Sequence, residues 1–89
     1  MNHYKFSQED KENFINHYVV STVGSRDVIS KGAISRSISR AKAAIQGLED
    51  VQGPITLGKV INCMNRNGQH SSHYGGYKKA AKAAVEYFS

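Results

Sequence analysis

The chain has no tryptophan, one cysteine and one proline, and no acidic residue from Val51 to Val85. Each shortage excludes something. A single cysteine, Cys63, cannot form an intramolecular disulfide. That is compatible with a reducing, cytoplasmic setting. Without tryptophan the core must be built from Ile, Val, Ala, Phe and Tyr. No apolar run approaches the roughly 20 residues that a membrane span needs. The opening MNHYKFSQEDKENF has neither an apolar segment nor a cleavage-site pattern, so no signal peptide is expected. The mean hydropathy of −0.50 and 39% hydrophobic content are ordinary for a folded chain and do not argue for disorder. At 89 residues the chain is expected to form one domain over 1–89.

What is there is positive charge, unevenly spread. Lys and Arg outnumber Asp and Glu by 12 to 7, and the pI is about 9.5. The acids Glu9, Asp10 and Glu12 cluster near the N-terminus. The acid-free stretch holds Lys59, Arg66, Lys78, Lys79 and Lys82, with His70 and His73. A second block from Arg26 to Lys42 carries five cations against Asp27 alone. Such segregation suits an anionic partner, nucleic acid first and a membrane surface second.

The apolar spacing predicts a mainly α fold of four to five short helices. Ser7 is placed to cap a helix over 7–24, with Asp10 positioned as in a capping box. Phe14, Ile15, Tyr18, Val19 and Val23 form its apolar face, and Gly24 is its expected stop. A short helix or turn at about 26–31 is expected to break at Gly32. A separate helix from about Ala33 carries Ile34, Ile38, Ala41, Ile45 and Leu48 within about 80° of one another, with Arg36 and Arg40 on the far side and Lys42 at the flank. Asp50 to Pro54 closes it, because proline cannot continue a helix. Val51 to Leu57 offers a short extended piece. Thr56 then caps a helix with Leu57, Val60, Ile61 and Met64 inward, and Asn67-Gly68 ends it. The last helix begins near Gly76, with Tyr77, Ala81, Ala84 and Phe88 on one face and Lys78, Lys79, Lys82 and Glu86 on the other.

Two basic surfaces are the candidate sites. Arg36, Arg40 and Lys42, with Arg26 and Lys31, make one; Lys78, Lys79 and Lys82 make the other, and Arg66 adds to the charge between them. Lysines at a helix start add to the positive end of its dipole, so Lys78 and Lys79 are locally unfavourable unless an anion compensates. Backbone N–H groups after Gly75-Gly76 point to the same place. Tyr74, His70 and His73, in the loop before this helix, are candidates to stack on unpaired bases. Cys63, His70 and His73 match no standard zinc spacing and lack a fourth ligand, so neither metal nor cofactor is expected. No nucleophile elbow, phosphate loop or carboxylate pair occurs, so an enzyme is not expected. The last helix has alanine where membrane insertion needs bulk.

The segment GPITLGKVINCMNRNGQHSSHYGGYKKAAKAAVEYF resembles the second half of an OST-HTH (LOTUS) winged-helix domain. Ile55-Thr56-Leu57-Gly58 matches the lead-in to that family's middle helix. Tyr74-Gly75-Gly76-Tyr77-Lys78-Lys79 matches its Tyr-Gly-aromatic-Lys-Lys signature. The resemblance spans 33–88 and leaves the 7–24 helix outside it. It implies a helix-turn-helix or winged-helix arrangement and RNA binding near the helix after Tyr74. In general appearance the chain also resembles small phage RNA-binding inhibitors of a toxin ribonuclease, of the TifA type.

The expected function is therefore RNA binding through the phosphate backbone, with little sequence preference and without catalysis. A phage counter-defence role, acting on a host ribonuclease through RNA, is one setting for it. The alternatives are a module or inhibitor that meets an acidic protein surface directly, and a DNA-binding helix-turn-helix protein. Pairing of two chains through the 7–24 helix stays open.

Overall fold

A computed structural model describes residues 6–24, 30–68 and 75–88. It contains four helices: α1 (Gln8–Val23), α2 (Lys31–Asp50), α3 (Leu57–Arg66) and α4 (Gly75–Tyr87). Among the described residues there is no β-strand, and hence no wing of the kind a winged helix carries. α2 packs against all three other helices, while α1 and α3 do not pack on each other.

Capping side chains fix three of the starts. Ser7 Oγ accepts the N–H of Asp10 at 3.1 Å, and Glu9 and Asp10 place negative charge at the positive end of α1. Thr56 Oγ1 accepts the N–H of Lys59 at 3.2 Å. The start of α2 corrects the sequence reading. Ser30 Oγ accepts the N–H of Ala33 at 3.1 Å, and the helix begins at Lys31. Gly32 does not break it. In a capped first turn the glycine's entropic penalty, roughly 0.5–1 kcal/mol, is too small to overcome the cap and the long packed helix behind it. The turn expected at 26–31 lies mostly outside the described residues.

Helix ends follow local chemistry. Gly24 ends α1 in a right-handed conformation (φ −64°), donating to the Val20 carbonyl at 2.8 Å, so no left-handed turn is used there. α3 ends at Asn67-Gly68, where Gly68 takes φ +96°, a conformation that favours glycine. Between α2 and α3 the backbone is extended at Val51 and Thr56, in keeping with the short extended piece read from the sequence.

The core is thin and made largely of small residues. Ala80, Ala81 and Ala84 of α4 are fully buried, as are Ala41, Ala44 and Leu48 of α2 and Val60 and Met64 of α3. The buried stripe of α2 is Ala33, Ser37, Ala41, Ala44 and Leu48, with Ile45 and Gly47 on either side. Ile34 and Ile38, expected at its centre, are only half-buried. The helix is surrounded on several sides, so its most apolar arc is not its most buried one. Gly47 is where α3 approaches: a Cβ there would sit 2.6 Å from Met64 Cγ and 3.1 Å from the Val60 carbonyl oxygen.

α1 closes the core. Phe14 is fully buried, with ring centroids 5.3 Å from Tyr87 and 5.6 Å from Phe88, and Phe88 stacks on Phe6 at 4.1 Å. Glu49 of α2 ties the same region, pairing with Lys11 Nζ at 3.2 Å and accepting the N–H of Phe6 at 3.3 Å.

Phe14→Ala is expected to cost about 3–5 kcal/mol. That is much of what a domain this size holds, so loss of cooperative unfolding in urea is the expected readout. Gly47→Ala is expected to destabilise by about 1–3 kcal/mol of overpacking, less the gain in helix propensity. An urea midpoint equal to or above the parent's would show that α3 can move away.

Candidate nucleic-acid interface

The start of α4 is held from two sides. The Tyr18 hydroxyl of α1 donates to the Gly76 carbonyl at 3.4 Å. From α2, the Arg40 guanidinium lies flat against the Cα of Gly76; a Cβ at that position would fall on its Nη1, Cζ and Nε atoms. The same guanidinium is 5.6 Å from the centroid of the Tyr77 ring, within cation–π range. Gly76 is thus a seat for an arginine, a role that its place in a helix start did not signal.

This corrects the place assigned to Arg40. It is not on an open face of α2 but half-buried against α4. Tyr77, expected in the core, is half-buried beside it. Arg36, one turn earlier, is exposed and extends past Gly32, where a Cβ would lie 3.2 Å from its Nη1. On α4, Lys78, Lys79 and Lys82 are all exposed. The first turn of α4 has no acid. Among the described residues no ion pair is seen for Arg36, Arg40, Lys78 or Lys79, while Lys11 pairs with Glu49.

The charges at this helix start add unfavourably. The aligned peptide units put about half a positive charge at a helix N-terminus. Lys78, Lys79 and Arg40 lie at that end, and the first turn of α4 holds no acid. Arginine suits the innermost position because its guanidinium is planar and weakly hydrated, so it can lie on backbone and ring while keeping N–H donors free at its rim. An anion placed here would meet helix N–H groups, a planar donor fork and two ammonium groups.

Not every candidate joins this cluster. Lys42 lies on the side of α2 that faces α1, lining a groove of about 220 Å³ with Lys11, Ile15 and Glu49. Arg66 lies on α3, where its Nη2 is 3.1 Å from Cys63 Sγ, and lines a different cleft. His70, His73 and Tyr74 lie outside the described residues, as does Arg26. Cys63 itself is buried, as its helical spacing predicts. Among the described residues no group of His, Cys, Asp and Glu is arranged to hold a metal, and no helix is long and apolar enough to cross a membrane.

Four polar residues were not among the candidate site residues read from the sequence. Gln52, Lys59, Asn62 and Asn67 share the cleft with Arg66. Their signal was present in α3: Lys59, Asn62 and Arg66 follow the i, i+3, i+7 spacing of one helix face, away from the apolar one. Comparison with known proteins finds no matching family model, no matching curated protein and no matching solved structure.

Gly76→Ala separates the arginine seat from helix stability. Alanine favours a helix by roughly 0.5–1 kcal/mol over glycine, so helical content is expected to hold or rise. Arg40 is expected to leave the Tyr77 ring, read as loss of ring-current shifts on the Arg40 side-chain protons. Unchanged shifts would mean that the guanidinium does not depend on the missing side chain.

Proposed function

We propose that this protein binds RNA through its sugar–phosphate backbone, with α4's N-terminal turn as the main contact and no catalytic step. The observation that supports this reading most is the Arg40 guanidinium laid on Gly76 beside Lys78 and Lys79, with no acid in that turn. An arginine drawn from one helix onto the positive end of another is opposed by the helix dipole, and its contact with the Tyr77 ring offsets this only in part, so an anion there would complete the balance. Arg36, one turn before Arg40 on α2, and Lys82, one turn after Lys78 on α4, extend the positive charge beyond a single phosphate. The OST-HTH resemblance of the Tyr74–Lys79 segment supports the same end of α4.

Phosphate is the target with the best fit. It accepts from a guanidinium, from ammonium groups and from backbone N–H groups together. Contacts of this kind fix register and carry no sequence information, so binding is sequence-tolerant. RNA is preferred over duplex DNA because the cations gather around a helix end, which suits a flexible single strand.

The double reversal Lys78→Glu with Lys79→Glu alters only exposed side chains, so folding should survive. RNA affinity is expected to fall by more than tenfold at low salt. Each phosphate contact with a single strand contributes about 0.7 to the slope of log K against log salt, so removing two should lower the slope by about 1.4. Fluorescence anisotropy over a salt series measures both. Parental affinity and slope in the folded variant would overturn the assignment. Tighter binding to duplex DNA than to single-stranded RNA would turn the reading to DNA.

A further inference from the structure

The cleft beside α3 has a different chemistry from the basic helix end. It measures about 610 Å³, within the range of roughly 300–1,000 Å³ typical of small-ligand sites. It lies where the C-terminal end of α2, the residues just after it and the polar face of α3 meet. Three carboxamides line it: Gln52, Asn62 and Asn67. Each offers both donors and an acceptor. Two cations, Lys59 and Arg66, stand on the same face of α3, seven residues apart.

The cleft's groups are held in place. Arg66 is anchored on its floor by the contact of Nη2 with Cys63 Sγ at 3.1 Å. Lys59 Nζ donates to the Pro54 carbonyl at 3.3 Å, which keeps the ammonium at the mouth. The one acid of the lining, Asp50, has both oxygens engaged: Oδ2 accepts from Asn67 Nδ2 at 2.7 Å, and Oδ1 accepts from Gln46 Nε2 at 3.2 Å. Neither cation is ion-paired among the described residues.

We propose that this cleft binds one nucleotide unit, with the base against the carboxamides and the Arg66 plane and the phosphate towards Lys59. Base edges mix donors and acceptors, and one carboxamide can meet both at once, which a single carboxylate or ammonium group cannot. Unstacked bases lie on arginine planes as well as on aromatic rings. The phosphate takes the remaining cation. The unit comes either from a splayed nucleotide of bound RNA or from a free nucleoside monophosphate. The first source rests on the RNA reading above; the pocket chemistry does not.

The test is a titration of the full chain followed by ¹H–¹⁵N NMR. The probes are the four ribonucleoside monophosphates, the matching nucleosides, inorganic phosphate and a short single-stranded RNA. The nucleotides are expected to shift the backbone and side-chain amides of Gln52, Asn62 and Asn67, to an extent that differs among bases. Asn62→Ala and Arg66→Ala change exposed residues and are expected to weaken the preferred nucleotide about tenfold each, with the helical signal intact. Shifts by the RNA at the same amides assign the source to RNA, and shifts by mononucleotides alone assign it to free nucleotide. No response at these amides to any nucleotide overturns the proposal, as does a response that inorganic phosphate reproduces in full. Running the Lys78→Glu, Lys79→Glu chain in parallel keeps the two readings apart. There, cleft shifts by mononucleotide should persist even where RNA affinity is lost.

Discussion

The close approach of α4 to α2 is the constraint on which the rest depends. α2 and α4 each meet all the other helices, and the buried residues of α2 include Ala33, Ala41, Ala44 and Gly47, with few larger ones. α4 answers with Ala80, Ala81 and Ala84. Small residues on both sides bring the helix backbones together, and dispersion then acts over many short contacts. The loss is apolar area, because an alanine buries much less than a leucine. The aromatic cluster of Phe6, Phe14, Tyr87 and Phe88 makes up part of it at one end. α1 is therefore an integral part of the core, although the nucleic-acid resemblance of 33–88 does not include it.

The same close approach builds the basic helix end. Arg40 can reach the backbone of Gly76 only because α2 and α4 lie close together and residue 76 has no side chain. Tyr18 reaches the carbonyl of that residue from α1, so three helices converge on one peptide. Magnitudes matter here. A cation at a helix N-terminus forfeits about 0.3–1 kcal/mol at low salt, less when exposed and screened. Three such groups sum to a penalty that the stacking on Tyr77, worth about 0.5–1 kcal/mol at exposed sites, only partly offsets. The balance is tolerable in the free protein and turns favourable with an anion present.

Much of the fold was legible, and the misreadings have physical causes. Ser7 and Thr56 cap as their spacing predicts, and the faces of α1 and α3 bury Phe14, Tyr18, Val60, Ile61 and Met64 as read. Those helices each bury one side, which is the case that periodicity describes. α2 has partners on several sides, so Ala33 and Ser37 are buried while Ile34 and Ile38 stay half-open. Volume, not hydrophobicity, decides there. At the candidate site the exposed lysines of α4 were legible, because their charge and position alone define them. The seat of Arg40 was not, since it depends on a tertiary approach between residues 36 positions apart.

Site and fold are therefore separable to different degrees. Lys78, Lys79 and Lys82 are exposed, so the attraction they would offer an anion is almost purely electrostatic and open to screening. Arg40 is half-buried and fixed by Gly76 and Tyr77, so it loses less freedom when an anion arrives. Preorganisation of this kind would separate a binding surface from a merely basic one: exposed lysines raise the local concentration of any polyanion, whereas a fixed guanidinium at a helix end would give one phosphate a defined position. The cleft of α3 follows the same logic with different groups. Its arginine rests on a buried sulfur, its lysine on a carbonyl and its acid on two amides, which leaves the donors and acceptors of Gln52 and Asn62 to meet whatever enters.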